Sequence, residues 1–314
     1  SLHEAYPSAQ ITMLTVPGTA PIAAMNPYVN QVMTYDKRGR QRGFMGMLHM
    51  GRQLRAYHFD LAVCLNFAVR GAVVAWLAGI PVRAGYDAQH AGLFLTNVQS
   101  HVRQGLKHER LNHLEVLQCL HLEPSQDTRL TLQVPAEALA SLRRKLPQLA
   151  TRPYIVLCPF GNAPRKSLLV EQLQAVSQAL RADYQLYLIS GANQRDELTA
   201  MASACGIEEE QTLPGTLTLP ELAAFLQQAA VLVSADTGPV HMAQAVCCPT
   251  VVVFGPTQPK VWGPVNPQDI VLCGSMPCMP CDNKGQCSSA SCIEQIKPEE
   301  LLAAVQKRLT IAER

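Results

Sequence analysis

Aromatic residues make up only 5% of the 314 positions and are not interleaved with the basic ones. That argues against nucleic acid as a partner, because single-strand binders set stacking rings among their cations. Charged residues are also sparse, at 16% against 48% hydrophobic, and such a composition fills real cores and excludes intrinsic disorder. Long apolar runs are missing. The longest, residues 71–82, is broken by Gly79 and Pro81 and is too short to span a bilayer, so no transmembrane helix is expected. The chain opens Ser-Leu-His-Glu-Ala-Tyr-Pro, with neither a basic n-region nor an apolar h-region, so no secretory signal is expected. The lack of an initiator Met fits a fragment or a processed start. No Asp-x-Asp occurs, a pair that often holds a diphosphate through a divalent ion.

What is present has the size of two domains. Eleven cysteines without a signal peptide point to a reducing, cytoplasmic setting and mostly free thiols. Cys64, Cys158, Cys205, Cys247 and Cys248 sit in apolar runs, where cysteine acts as a small core residue. The net charge of +2 hides an asymmetry. Residues 1–110 carry 11 Lys+Arg and 5 Asp+Glu, net +6, while the remainder carries 15 and 19, net −4. Lys37, Arg38, Arg40, Arg42, Arg52 and Arg55 form the densest basic stretch. Such a half fits an anionic partner or, equally, a solvated basic helix face.

Short apolar runs alternate with helical patterns. Strands are expected over 9–16, 59–65, 154–158, 184–190, 231–235 and 250–254, with helices over 69–78, 168–181, 218–229 and 298–309. Residues 81–86 read as a turn. Thr218-Leu219-Pro220-Glu221 has capping-box spacing with proline in the first turn. The alternation predicts parallel sheets faced by helices in both halves. The proline-bearing segment 124–153, with a weak helical stretch at 137–146, holds the junction, giving domains 1–140 and 141–314.

The most informative stretch is 231–264, VLVSADTGPVHMAQAVCCPTVVVFGPTQPKVWGP. A buried strand delivers Asp236-Thr237-Gly238 at its carboxyl end, and a helix starts near Pro239 with His241 in its first turn. Ligands bind outside such strand ends, and the free amides of a helix N-terminus attract phosphate. The next strand ends in the tight turn Phe254-Gly255-Pro256-Thr257, so two strand ends are expected to face one crevice. Asp-Thr-Gly is also an aspartic protease signature, but that chemistry needs a second aspartate across a β-rich cleft, and one copy in a strand–helix alternation does not provide it. His241 alone fits a satisfied structural histidine; its place three residues beyond Gly238 favours a role at the turn.

The pattern D-T-G-x-x-H-x-A, then P-x-x-x-x-F-G-x-T, is filled by Asp236, Thr237, Gly238, His241, Ala243, Pro249, Phe254, Gly255 and Thr257. It resembles the donor signature of glycosyltransferase family 9, the ADP-heptose:lipopolysaccharide heptosyltransferases. Residues 59–87, with Arg70, Gly79 and Gly85-Tyr86, are similar to the family's N-terminal strand–helix–turn. CPFGNAPRKS at 158–167 resembles the loop that opens its second domain. The resemblance implies an α/β fold of GT-B architecture, two Rossmann-like domains with parallel sheets facing a cleft. It implies inverting transfer of heptose or a related sugar from an ADP-sugar to the lipopolysaccharide inner core, whose phosphates and carboxylates suit a basic N-terminal half. It assigns the donor to Gly161, Asn162, Lys166, Asp236, Thr237, Gly238, His241, Gly255, Pro256 and Thr257, with Lys166 and Asp236 catalytic, and the acceptor to Arg70. It implies the nucleotide sugar and the core/lipid A acceptor as partners, with peripheral contact at the cytoplasmic face of the inner membrane.

The chain departs from the family pattern in two places. The family begins with a strand and a Gly-Asp loop before the helix that ends in a Tyr-Pro like Tyr6-Pro7. The N-terminal domain is therefore expected to lack its first strand, and the loop aspartate proposed as general base is absent from the chain. Ser167-Leu168 and Ala192-Asn193 stand where a tryptophan and an acidic residue are usual. A non-catalytic nucleotide- or glycan-binding paralogue, or another GT-B enzyme such as a sugar-nucleotide epimerase, is the alternative reading. Lys166 near a helix start is electrostatically misplaced unless an anion joins it. With no Asp-x-Asp, no cofactor is expected for catalysis. Cys278, Cys281, Cys287 and Cys292, spaced C-x2-C-x5-C-x4-C in a loop shaped by Pro277, Pro280 and Gly285, fit a structural zinc site, a labile disulfide or free thiols.

Overall fold

Runs of four to six apolar or β-branched residues bounded by Gly, Pro, Asn and Asp are strand-forming, and each one observed here pairs parallel to its neighbour. The computed structural model describes residues 1–100, 107–281, 287 and 291–312. By packing, the chain divides into Ser1–Thr128 and Arg129–Arg314. Among the described residues, no helix is long and apolar enough to cross a membrane.

The first unit contains α1 (Leu2–Ala5), β1 (Thr12–Thr15), α2 (Ala20–Ala24), β2 (Gln31–Thr34), α3 (Gly43–Arg55), β3 (Leu61–Cys64), α4 (Arg70–Leu77), β4 (Val82–Tyr86), β5 (Asn97–Gln99) and α5 (Glu109–Glu115). Its strands form two separate parallel sheets, β1-β2 and β3-β4-β5. Met33 of β2, Met50 and Leu54 of α3, and Val74 and Ala75 of α4 share one core, with Ala62 of β3 packed against it. Residues 81–86 are not a turn. They form β4, in register with β3, because Gly85 brings the backbone so close to Cys64 that a Cβ would meet that carbonyl oxygen at 3.1 Å.

The second unit holds α6 (Ala136–Lys145), β6 (Tyr154–Cys158), α7 (Val170–Leu180), β7 (Gln185–Ser190), α8 (Arg195–Cys205), β8 (Thr212–Pro214), α9 (Leu219–Gln228), β9 (Val231–Ala235), α10 (Gly238–Ala245), β10 (Thr250–Phe254), α11 (Pro259–Trp262), β11 (Ile270–Cys273), α12 (Ser291–Glu294) and α13 (Pro298–Ala312). One parallel sheet runs β11-β10-β9-β6-β7-β8. β6, β9 and β10 are buried along their whole length, as central parallel strands with both faces covered must be. One face packs Leu173 and Val176 of α7, Leu198 of α8 and Leu301 and Val305 of α13 against Ile155, Val233 and Val251. The division falls at Thr128/Arg129 rather than after residue 140, since Leu132 N–H donates to Ala245 O at 3.0 Å, and α6 is tied to α9 by Ser141 and Lys145, both bonded to Glu221 at 2.7 Å. Thr218 and Glu221 form the capping box that their spacing predicts.

Candidate functional site

The sheet order reverses between β6 and β9. The chain moves outward through β7 and β8, then crosses back to lay β9 on the other side of β6. At such a reversal the exit loops part, and the carboxyl ends of the two strands border a crevice. The loop leaving β6 carries Gly161, Asn162 and Lys166. The one leaving β9 carries Asp236 and Thr237 into α10, and the one leaving β10 carries Gly255, Pro256 and Thr257.

Three of these side chains meet. Lys166 Nζ lies 2.6 Å from Asp236 Oδ2, and the Thr257 hydroxyl donates to the same oxygen, also at 2.6 Å. All three residues are buried, at 7, 8 and 7% exposure, so the pair is screened little by solvent. Oδ2 thus takes both donors, while Oδ1 and two of the lysine's N–H groups have no partner among the described residues. Lys166, near a helix start, has its counter-charge in Asp236, brought in by a different strand. At the end of β6, burial pushes the Cys158 thiol up to about 12, with the neighbouring Ser234 side chain opposing the rise, so it is a neutral core group.

The loops are braced from behind. A Cβ at Gly161 would stand 2.5 Å from Lys166 Cβ, so only glycine lets the loop fold over the lysine stem. A Cβ at Gly255 would stand 2.9 Å from Ile293 Cδ1 and 3.1 Å from Arg165 O. Pro256 O accepts from Cys281 N–H at 3.1 Å. Gln172, fully buried, donates to Ile293 O at 3.1 Å and Ile296 O at 2.8 Å and accepts from Leu169 N–H at 2.9 Å, fastening the β6 loop to the C-terminal segment. Gln172 and Ile293 were not among the sequence candidates. The only local signal was the spacing of Gln172 three residues after Leu169.

Thr237 precedes α10 in an extended conformation (φ −157°, ψ 171°), and its side chain makes no cap bond, which leaves the first-turn amides without that partner. Gly238 is exposed, and a Cβ there would meet nothing within 4 Å. His241 is half-buried in that first turn, and Asn162 is exposed on the β6 loop. Arg70 belongs to the first unit, at the start of α4, where its Nη1 donates to the Tyr35 hydroxyl at 3.1 Å.

Among the described residues, none of Cys278, Cys281, Cys287 and Cys292 is joined in a disulfide. Burial raises the Cys292 thiol, with backbone hydrogen bonds opposing and Cys281 and Cys287 adding to the rise. Among the described residues no three His, Cys, Asp or Glu side chains are placed to hold a metal ion. Gly285 lies outside the described residues.

The family model described as glycosyltransferase family 9 (heptosyltransferase) matches residues 47–291. Lipopolysaccharide heptosyltransferase 3 of Escherichia coli is 29% identical over 274 residues, covering 84% of this chain and 80% of the relative. Among solved structures, the family 9 glycosyltransferase of Veillonella parvula superposes with a TM-score of 0.84 at 21% identity, covering 99% of this chain and 91% of the other. The ADP-heptose lipopolysaccharide heptosyltransferase II of E. coli gives 0.81 at 20%, covering 100% and 93%. These likenesses show a common α/β fold of parallel sheets, the GT-B type. With the family model spanning most of the chain, through both switch-point strands and the Asp236 and Gly255 turns, the chain belongs to glycosyltransferase family 9, the heptosyltransferases, and is a glycosyltransferase.

Proposed function

We propose that the protein transfers heptose from ADP-heptose to the phosphorylated inner core of lipopolysaccharide, with inversion at the anomeric carbon. The donor belongs on residues 129–314 and the acceptor on residues 1–128, with Arg70 meeting acceptor phosphate or carboxylate. The observation that carries the donor reading is the buried Lys166–Asp236–Thr257 cluster at the switch point of the second sheet.

In that reading, Lys166 gives its two remaining N–H groups to the diphosphate, and the amides of Gly238 and of the Gly255–Thr257 turn supply further fixed dipoles. The acceptor oxygen attacks the anomeric carbon as its hydroxyl proton passes to a base, the bond to the diphosphate oxygen breaks, and its electron pair leaves with ADP. The growing charge on ADP sits beside an ammonium already held in place, which needs little reorganisation when the reaction occurs. Asp236 has two tasks: it fixes Lys166, and its Oδ1 accepts from a donor hydroxyl. Gly161, Asn162, Thr237 and His241 line the nucleotide-sugar path, and Pro256 keeps the β10 turn rigid. A cation and amides replace the divalent ion that an Asp-x-Asp site would need.

A thermal-shift screen with ADP-heptose and with UDP- and GDP-sugars tests the donor. A ligand bound only by the folded state at 100 times its Kd adds about 2.7 kcal/mol. The expected result is a raised Tm with ADP-heptose alone. A shift with a UDP- or GDP-sugar and none with ADP-heptose would overturn the assignment.

A further inference from the structure

α12 has four residues, too few for a helix to stand by its own hydrogen bonds, so its place is set by what it touches. Ile293 and Ile296 are buried in the core that α7, α8 and α13 form on the sheet. The chain leaving β11 lies along the same segment. Ser275 N–H donates to Gln295 Oε1 at 2.6 Å, and a Cβ at Gly274 would overlap Cys292 O at 2.0 Å. From α7, Gln172 Nε2 donates to Ile293 O and Ile296 O, carbonyls at the end of a helix too short to pair them all itself. Its Oε1 accepts from Leu169 N–H, three residues beyond Lys166. One buried amide therefore ties α12 to the loop that carries the lysine.

Three parts of the chain converge at the side of Gly255 where a Cβ would stand. Such a Cβ would lie 2.9 Å from Ile293 Cδ1, 3.2 Å from Ile293 Cγ1 and 3.1 Å from Arg165 O. Arg165 immediately precedes Lys166, and Thr257 follows Gly255 by two residues. Lys166 and Thr257 in turn donate to one Asp236 oxygen, each at 2.6 Å. Ile293 Cδ1 thus fills the corner where the β10 turn meets the β6 loop, and the spacing of the ammonium and the hydroxyl about Oδ2 is set against it.

We propose that Ile293 and Gln172 are positioning residues of the donor site, an inference that rests on the assignment of Lys166 to the diphosphate. α12, fastened by Gln172, seats the β10 turn against the β6 loop and so fixes where Lys166 meets the donor. Both residues have no exposed surface, so they act through the turn and the lysine rather than by touching the nucleotide sugar. Small displacements suffice, since a shift of about 1 Å at a reacting group costs up to about 100-fold.

Calorimetry with ADP on the full chain tests this through a pair of variants. G255A should weaken ADP binding about tenfold, because its methyl is driven off Ile293 Cδ1 and Arg165 O. I293V deletes Cδ1 and should weaken binding about threefold as the turn relaxes into the space. In the I293V background the further cost of G255A should shrink to about twofold, a non-additivity shown by residues in contact. Q172M keeps the bulk of the side chain but removes its bonds to Leu169, Ile293 and Ile296, and should weaken ADP binding about tenfold. L180A truncates the same core at the far end of α7; it should lower the Tm and keep the parent's ADP affinity, as a purely structural change does. Costs of G255A and I293V that add in full, or Q172M binding ADP as the parent does, would overturn the proposal. If Q172M does not fold, the G255A/I293V pair decides. A parent that does not bind ADP, or K166M binding like the parent, removes the donor assignment and this inference with it. Weakened K166M together with additive G255A and I293V removes this inference alone.

Discussion

Lys166→Met removes an ammonium while keeping the apolar stem, and so separates charge from packing. Asp236 then stays buried with the Thr257 hydroxyl, at 2.6 Å, as its remaining partner among the described residues. Breaking a fully buried pair by deleting one partner costs about 3–5 kcal/mol. Here the threonine bond persists, so a loss of about 2 kcal/mol is expected, or several degrees in Tm for a domain of this size. In the bound state the lost contacts are charge-assisted hydrogen bonds to phosphate; the loss of even one, at about 1.5–3 kcal/mol, lowers ADP affinity about 10–100-fold, which is the least fall expected. Asp236→Asn is the informative companion. The amide keeps the shape and an acceptor oxygen for Lys166 and Thr257, but removes a negative charge that competes with the diphosphate for the same ammonium. ADP affinity in D236N should match or exceed the parent's, whereas D236A, which releases Lys166, should weaken it. Isothermal titration calorimetry with ADP reads all three. Parental affinity in K166M, or a loss in D236N as large as that in K166M, would refute the assignment of Lys166 to the diphosphate and of Asp236 to holding it.

Glu221 is pushed up by burial but held at about 2 by Lys145, Ser141 and Thr218, against an ordinary 4.5. Its folded value lies below its unfolded one, so its stabilisation is present above pH 4.5 and is lost as pH falls through about 2. That gap, discounted because Lys145 is 39% exposed, amounts to about 2 kcal/mol, so E221Q should be less stable than the parent by urea denaturation near pH 7 and nearly equal to it near pH 2. Cys247 follows α10 in the left-handed region at φ +59°, where glycine is unstrained; C247G should stabilise the second unit by about 0.5–1 kcal/mol, seen as a higher Tm. Gly255→Ala forces the β10 turn away from Ile293 and Arg165 O, and ADP affinity should fall about tenfold by calorimetry with the fold retained by circular dichroism. EDTA should leave ADP affinity unchanged, because the diphosphate is met by Lys166 and amides.

The parts of this molecule that could be read from sequence are those fixed by local pattern. β9 and β10 have the limits that their mostly apolar runs predict, and α9 starts at its capping box. α3 and β4 could not be read, and both fail for the same reason. α3 contains Gly43, Gly46 and Gly51, poor helix formers, but a Cβ at Gly51 would press on Leu77 Cβ at 2.6 Å, so the glycine serves the packing of α4 on α3. Gly85 similarly reads as a turn residue and is a strand residue because β3 lies against it. The candidate site divides along the same line. Its motif residues are visible at fixed spacings, whereas the pairing of Lys166 with Asp236 spans 70 positions and that of Gln172 with Ile296 spans 124. Those separations are set by where β9 and α13 are laid down on the sheet. A switch-point site is assembled from loops that leave strands far apart in sequence, so its parts carry local signatures and its electrostatics exist only after the crossover is made.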